Sequence, residues 1–173
     1  MEELASQALR RLSPELDPLR LGSGWTMEDL SKPQILIEST AGDSHPGSVH
    51  LGWLTELVKK GVLGAGGFGA RYACTDICDG ESQGTDGINY SLASREMIAN
   101  LAEIHACATP FDGAVFLASC DKGMPGMLMA LARINIPAVV LPGGAMSAGP
   151  ELLTLEQLGK YSAEFQRGEI SEE

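Results

Sequence analysis

The chain lacks several features that would place it in common classes of protein. No apolar run approaches the roughly 20 residues needed to cross a bilayer, and the opening stretch MEELASQALRRLSPELDPLR lacks the apolar segment of a signal peptide. Only 12 basic residues stand against 23 acidic ones, so the net charge is −11. Nucleic acids and anionic membranes both bind basic surfaces. We therefore expect a cytoplasmic protein without a nucleic-acid or membrane partner.

The cysteines do not form a recognisable metal or disulfide pattern. The four cysteines are Cys74, Cys78, Cys107 and Cys120, and no two of them form a C-x-x-C pair. Thiols stay reduced in a chain without an export signal, so we expect no disulfide. The spacing of Cys74 and Cys78 is only a weak metal signal. We interpret Cys74 and Cys107 as small buried apolar residues.

The sequence does contain a regular alternation of strand and helix patterns. Short apolar runs predict strands at 34–39, 70–77, 113–119 and 137–142. Helical spacing predicts helices at 48–62, 91–108 and 125–134, and a last helix that opens on a capping box formed by Thr154 and Gln157. This order predicts an α/β fold, an open and mainly parallel sheet with crossover helices. We expect residues 1–31 to form a helical arm outside this core and residues 32–173 to form the α/β domain.

Chemically reactive side chains follow the predicted strands. In open α/β sheets, ligands bind beyond the carboxyl ends of the strands, so the four loops that follow the strands should share one edge. The opposite loops carry much less chemistry. The loops of the first edge hold Asp43, His45, Cys78, Asp79, Glu81, Asp86, Cys120, Asp121 and Lys122.

These residue types suit two kinds of metal site. Asp79 and Asp121 offer hard oxygen ligands of the kind that Mg²⁺ prefers. Cys120 offers a soft ligand for zinc or an iron–sulfur cluster. The plainer alternative is that Asp79 and the Asp121–Lys122 pair are polar turns.

The other polar candidates have plain interpretations. Glu81 and Asp86 are typical of solvated loop carboxylates. His45 and His50 lack the spacing of a metal site, and His50 is either a helix-start residue or a histidine beside a cofactor. His105 fits a packing role on its helix, and so do the methionines Met124, Met127 and Met129.

The stretch CDKGMPGMLMALARINIP, beginning at Cys120, resembles the dihydroxy-acid dehydratase and phosphogluconate dehydratase family. A second family pattern, CDG….G..G..YSL.SRE, is matched from Cys78 to Glu96, and GG.M..G is matched from Gly143 to Gly149. HPGSVHL after the first strand is also similar. The likeness extends from about Lys32 to about Gly149 and is specific because the motifs are long.

The resemblance implies a hydro-lyase, which removes water from a 2,3-dihydroxy carboxylic acid or a sugar acid and leaves a 2-keto acid. It implies an iron–sulfur cluster, [2Fe–2S] or [4Fe–4S], with Cys120 as a ligand. It also implies Mg²⁺ bound by Asp79, Asp121 and a carbamylated Lys122, which makes Lys122 a catalytic residue. Family members pair their subunits, so the resemblance further implies a homodimer.

This chain departs from the family in three respects. Gly47 stands where many members have a cluster cysteine, and Glu81, Ser82 and Gln83 replace apolar residues, which favours a more polar substrate such as a sugar acid. Members are also much longer, and a further cluster cysteine, another metal-binding carboxylate and the serine base lie beyond the matched part. We therefore expect the N-terminal portion of such an enzyme, which needs a C-terminal portion.

Two alternatives remain open at this point. The chain could be a truncated, catalytically inactive binding or assembly module of the same fold. It could also be a plain α/β metal-binding domain in which Cys74, Cys78 and Cys120 bind zinc.

Overall fold

The computed structural model describes residues 3–171 of the chain. The predicted arm and domain include Met1, Glu2, Glu172 and Glu173, which lie outside the described residues. Within residues 3–171, no helix is both long enough and apolar enough to span a lipid bilayer.

The core of the described part is a four-stranded parallel sheet. The strands are β1 (Gln34–Ser39), β2 (Phe68–Ala73), β3 (Gly113–Ala118) and β4 (Ala138–Pro142), in the spatial order β2-β1-β3-β4. Every neighbouring pair is parallel. The predicted α/β fold with an open parallel sheet is therefore confirmed.

Eight α-helices accompany the sheet in the described part. Those before the sheet are α1 (Ala5–Leu12), α2 (Leu16–Gly22) and α3 (Met27–Ser31). The remaining helices are α4 (Leu51–Gly64), α5 (Asp79–Ser82), α6 (Ser91–Ala108), α7 (Gly123–Ile134) and α8 (Leu155–Gln166). The predicted capping box at Thr154 and Gln157 is present at the start of α8.

The helices cover both faces of the sheet. On one face, Leu36 and Phe116 pack with Ile98 of α6 and Met127 of α7 in one buried cluster. Side chains alternate along a strand, so Ile37 and its neighbours point to the opposite face, where α4 lies. Two helices thus cover one face, and α4 covers part of the other.

The region predicted as a helical arm is helical in its described part, but it is divided into separate helices. It forms three short helices, and the first ends at Leu12, before Pro14. Asp112, the residue before β3, accepts hydrogen bonds from Ser6 N (2.9 Å), Ser6 Oγ (2.6 Å) and Gln34 N (2.7 Å). Leu30 is fully buried. The helices before β1 are therefore attached to the sheet.

Two further local predictions needed correction. The strand predicted at 70–77 is observed at Phe68–Ala73, because its partner β1 ends at Ser39 opposite Ala73 and leaves later residues without a neighbour. The apolar residues whose spacing predicted the helix at 48–62 are largely exposed: Val49, Trp53 and Leu57. The buried residues of α4 are Leu51 and Thr55.

Candidate metal and cluster site

The loops that follow the four strands meet at one edge of the sheet, as the parallel order predicts. Backbone hydrogen bonds join them where the strands end: Thr40 N donates to Leu117 O, and Gly143 N donates to Ala118 O. His50, the residue before α4, lies 2.8 Å from the Gly143 carbonyl through its Nε2. The edge is therefore one connected surface built from distant parts of the chain.

Asp79, Asp121 and Lys122 form a cluster at this edge, which we call the carboxylate cluster. Lys122 Nζ lies 2.6 Å from Asp79 Oδ2 and 2.7 Å from Asp121 Oδ2. Ser91, the first residue of α6, donates a hydrogen bond of 2.8 Å to Asp79 Oδ2. The second oxygen of Asp79, Oδ1, is buried without a hydrogen-bond partner.

The charges in the carboxylate cluster stabilise one another. Burial raises the pKa of Asp79, but hydrogen bonds from Lys122 and Ser91 outweigh it and hold that pKa below its usual value. Hydrogen bonds to Asp121 and Asp79 raise the pKa of Lys122. A cation thus already sits between two carboxylates, and the unpartnered Asp79 oxygen is a further free ligand atom. This donor set fits Mg²⁺.

A second group, which we call the Cys–His cluster, lies beside the first. It consists of His45, Cys78 and Cys120, whose ligand atoms all lie within 4.8 Å of one another. Cys78 immediately precedes Asp79, and Cys120 immediately precedes Asp121. Two thiols and an imidazole suit zinc or an iron–sulfur site better than a hard cation.

Sequence reasoning placed His45 at this edge but gave it no ligand role, and it considered Cys78 as a zinc ligand only together with Cys74 and Cys120. The three residues of the Cys–His cluster are separated by long stretches of chain, and each follows a different strand. Their proximity depends on the strand order, which brings the ends of β1, β2 and β3 to one edge. The sequence feature that could have pointed to the Cys–His cluster is that His45, Cys78 and Cys120 each lie at or beyond the end of a predicted strand.

His45 and Asp76 form a buried pair behind the thiols. His45 Nε2 lies 2.8 Å from Asp76 Oδ1, and the side chains are 1% and 0% exposed. Burial raises the pKa of Asp76, while its hydrogen bond with His45 opposes that shift. The other imidazole nitrogen, His45 Nδ1, is buried and has no partner.

The thiols differ in their environment. Burial raises the pKa of Cys120 to about 11, so the thiolate needs a bound cation to form near neutral pH. Cys74 packs in the hydrophobic core, as predicted, and burial raises its pKa well above the usual range. The predicted zinc set of Cys74, Cys78 and Cys120 is therefore wrong, since His45 takes the place expected for Cys74. The prediction that Cys107 is buried is also wrong, because Cys107 is exposed on α6.

Gly47 lies against the Cys–His cluster. A Cβ atom added there would stand 3.1 Å from His45 Nδ1 and 3.2 Å from Cys120 Sγ. Glycine lets the loop approach both ligand atoms. A side chain at this position would point toward the space between the imidazole and the thiol.

The remaining candidates lie outside both clusters. Asp43, Glu81 and Asp86 are exposed. His105 Nδ1 lies 2.8 Å from Glu38 Oε2, and the His105 ring stacks on Tyr72. Met127 is fully buried and Met124 packs against the same core, as predicted.

The fold and the two clusters define an α/β domain with a candidate metal centre at the carboxyl edge of a parallel sheet. A family model described as dihydroxy-acid/6-phosphogluconate dehydratase N-terminal matches residues 32–173. The chain belongs to this family.

Curated relatives agree with the family match. A protein of Acetivibrio thermocellus named dihydroxy-acid dehydratase is 46% identical over 123 residues, which are 71% of this chain and 22% of that protein. A protein of Ruminiclostridium cellulolyticum with the same name is 44% identical over 147 residues, covering 81% of this chain and 27% of that protein. A third, from Oleidesulfovibrio alaskensis, is 44% identical over 126 residues and covers 73% and 23%. The chain thus spans about a quarter of the length of these relatives.

Proposed function

We propose that this chain is the N-terminal portion of a hydro-lyase that removes water from a 2,3-dihydroxy carboxylic acid or a sugar acid and yields a 2-keto acid. The observation that carries the proposal is the adjacency of the two clusters. Cys78 is followed by Asp79, and Cys120 by Asp121 and Lys122, so the chain changes from a soft to a hard ligand twice at one edge. Such an arrangement suits two different inorganic groups beside one substrate.

We assign an iron–sulfur cluster to the Cys–His cluster, with Cys120 as a ligand, and Mg²⁺ to the carboxylate cluster. The unpartnered oxygen of Asp79 and the paired thiols support this fit. When bound, the two groups supply a Lewis acid for the departing hydroxyl and a cation for the substrate carboxylate and 2-hydroxyl. The cluster type, [2Fe–2S] or [4Fe–4S], does not affect the assignment of the ligands.

Lys122 has two roles in this proposal. As an ammonium ion it bridges Asp79 and Asp121 and occupies the space between them. After reaction of the neutral amine with carbon dioxide it becomes a carbamate and adds an oxygen ligand beside the two carboxylates. Because both aspartates raise the pKa of Lys122, we expect carbamylation to need Mg²⁺, which competes for the same carboxylates.

We propose further that a C-terminal portion packs against this domain. The sheet face beside α4 carries a cavity of about 460 Å³, lined by side chains that include Ile35, Val115 and Val139. Large apolar side chains of α8 are also exposed: Leu155, Leu158, Tyr161 and Phe165. Exposed apolar surfaces of this extent are typical of interaction sites. A homodimer that covers the same surfaces is the competing arrangement.

The proposed location is the cytoplasm. All four cysteines are free thiols in the described part. A cluster bound by free thiols requires a reducing environment.

The activity is tested by keto-acid release from several 2,3-dihydroxy acids and sugar acids. The chain is purified without oxygen, reconstituted with iron, sulfide and Mg²⁺, and assayed alone and with the remaining portion of the Acetivibrio thermocellus relative. We expect turnover in at least the second mixture, and its loss in Asp79→Asn and Asp121→Asn. The matched control is Asp43→Asn, an exposed carboxylate at the same edge.

Two results would count against the proposal. Turnover that survives Asp121→Asn would remove the carboxylate cluster from the reaction. A folded, reconstituted chain without turnover in either mixture would favour an inactive binding or assembly module. Sedimentation of the same samples distinguishes a homodimer from a complex with the C-terminal portion.

A further inference from the structure

His45 is a buried side chain in which only one of the two ring nitrogens has a hydrogen-bond partner. The residue is 3% exposed, and its Nε2 is paired with Asp76 Oδ1 at 2.8 Å. Its Nδ1 is buried and has no hydrogen-bond partner. A buried polar atom without a partner costs about 1–3 kcal/mol, so an unpaired nitrogen calls for a reason.

The pairing with Asp76 determines which nitrogen can bind a metal. A carboxylate only accepts hydrogen bonds, so Nε2 carries the proton and donates to Asp76. Nδ1 is then left with its lone pair free. Metal-bound histidines commonly hold their second nitrogen on a carboxylate, which fixes the tautomer and the ring orientation.

The free lone pair lies next to the thiols. One ring nitrogen of His45 lies within 4.8 Å of both Cys78 Sγ and Cys120 Sγ, and Nε2 is already paired with Asp76. The backbone of Gly47 independently locates this space, because a Cβ there would touch both His45 Nδ1 and Cys120 Sγ. A purely structural histidine–aspartate pair would not need to place its imidazole beside two thiols.

We propose that His45 is a direct ligand, through Nδ1, of the iron–sulfur cluster held by Cys78 and Cys120, and that Asp76 is its positioning residue. The identity of the bound group as an iron–sulfur cluster rests on the proposed function. Clusters of both common types take four protein ligands when fully coordinated. Two thiolates and one imidazole supply three ligands from this chain and leave one position that these residues do not fill.

The test is a spectroscopic measurement of nitrogen coordination. The full chain is labelled with ¹⁵N-histidine, reconstituted without oxygen and reduced, and the cluster is examined by pulsed electron paramagnetic resonance. The chain has three histidines, so a nitrogen coupling from a labelled ligand can only come from His45, His50 or His105. We expect a directly coordinated ¹⁵N in the wild type and in the control His50→Gln, and its loss in His45→Cys.

His45→Cys keeps a ligand atom at the site, so the variant can still bind a cluster and a lost nitrogen coupling is not explained by unfolding. Retention of iron and sulfide with loss of the nitrogen coupling is the expected result for this variant. For Asp76→Asn we expect the cluster to be held about 10–100-fold more weakly, with an altered nitrogen coupling. A merely structural role for Asp76 would change stability without changing the coupling in the cluster that remains.

The outcomes separate this inference from the proposed function. A cluster in the wild type without nitrogen coupling would overturn the role of His45 and leave the proposed function standing. A coupling that persists in His45→Cys would also overturn it. A wild-type chain that binds no cluster at all would contradict both the inference and the cluster assigned under the proposed function.

Discussion

Gly126 in α7 offers a sharp test of how the helix that begins beside Lys122 is held in place. A Cβ added at Gly126 would stand 2.8 Å from Ile98 Cγ2 and 3.0 Å from the Arg95 carbonyl oxygen of α6. The second contact is with backbone, which cannot rotate away. Gly61 in α4 provides a matched control, because a Cβ there meets nothing within 4 Å.

The two alanine substitutions should change stability in opposite directions. Replacing a helical glycine with alanine gains about 0.5–1 kcal/mol in either helix. At Gly126 the crowding against α6 costs about 1–3 kcal/mol in addition. We therefore expect Gly126→Ala to destabilise the fold by up to about 2.5 kcal/mol and Gly61→Ala to stabilise it by about 0.5–1 kcal/mol.

Urea unfolding followed by far-ultraviolet circular dichroism measures both changes. For a chain of this size, the loss at Gly126 corresponds to a fall in Tm of up to about 10 °C. If Gly126→Ala were as stabilising as Gly61→Ala, α6 and α7 would not approach each other as closely as described here. That result would refute the packing that positions the first turn of α7 and, with it, Lys122.

Two further changes test the buried polar contacts of the fold. Burial raises the pKa of Glu38, although its hydrogen bond with His105 opposes the shift, so the folded state keeps this proton to a higher pH than the unfolded state. The free energy of unfolding should therefore fall as pH rises above the ordinary glutamate pKa. Glu38→Gln should flatten that fall in urea titrations from acid to neutral pH. An unchanged dependence of stability on pH in this variant would contradict the raised pKa of Glu38. Asp112→Ala removes the hydrogen bonds from Ser6 and Gln34 and should cost about 2–3 kcal/mol, with faster hydrogen exchange in α1; unchanged exchange there would show that α1 is held by other contacts.

Much of the fold follows from local patterns in the sequence. The first strand at 34–39 and the long helix at 91–108 are found with the bounds predicted for them. In both cases a proline beside the element limits it, Pro33 before the strand and Pro110 after the helix. The alternation of strand and helix patterns predicted the parallel order of the sheet.

What could not be predicted depends on contacts between distant residues. The burial of α4 is set by which of its sides meets the sheet, so Thr55 is buried and Trp53 is exposed despite their chemistry. Asp79 and Asp121 could be selected as hard ligands that follow predicted strands, and the resemblance adds Lys122 to them. His45 and Asp76 could not be selected from the sequence. Their role depends on their contact with each other and on the strand order that brings them together.

The most direct test of the proposed metal centre is the iron, acid-labile sulfide and zinc content of the chain after anaerobic reconstitution. We predict stoichiometric iron and sulfide in the wild type and in the control Cys107→Ser, which alters an exposed thiol on α6. We predict loss of both in Cys78→Ser and Cys120→Ser. Tightly bound zinc with no iron, or iron and sulfide that remain in Cys120→Ser, would contradict the claim that the two clusters at this sheet edge are the metal-binding part of a hydro-lyase.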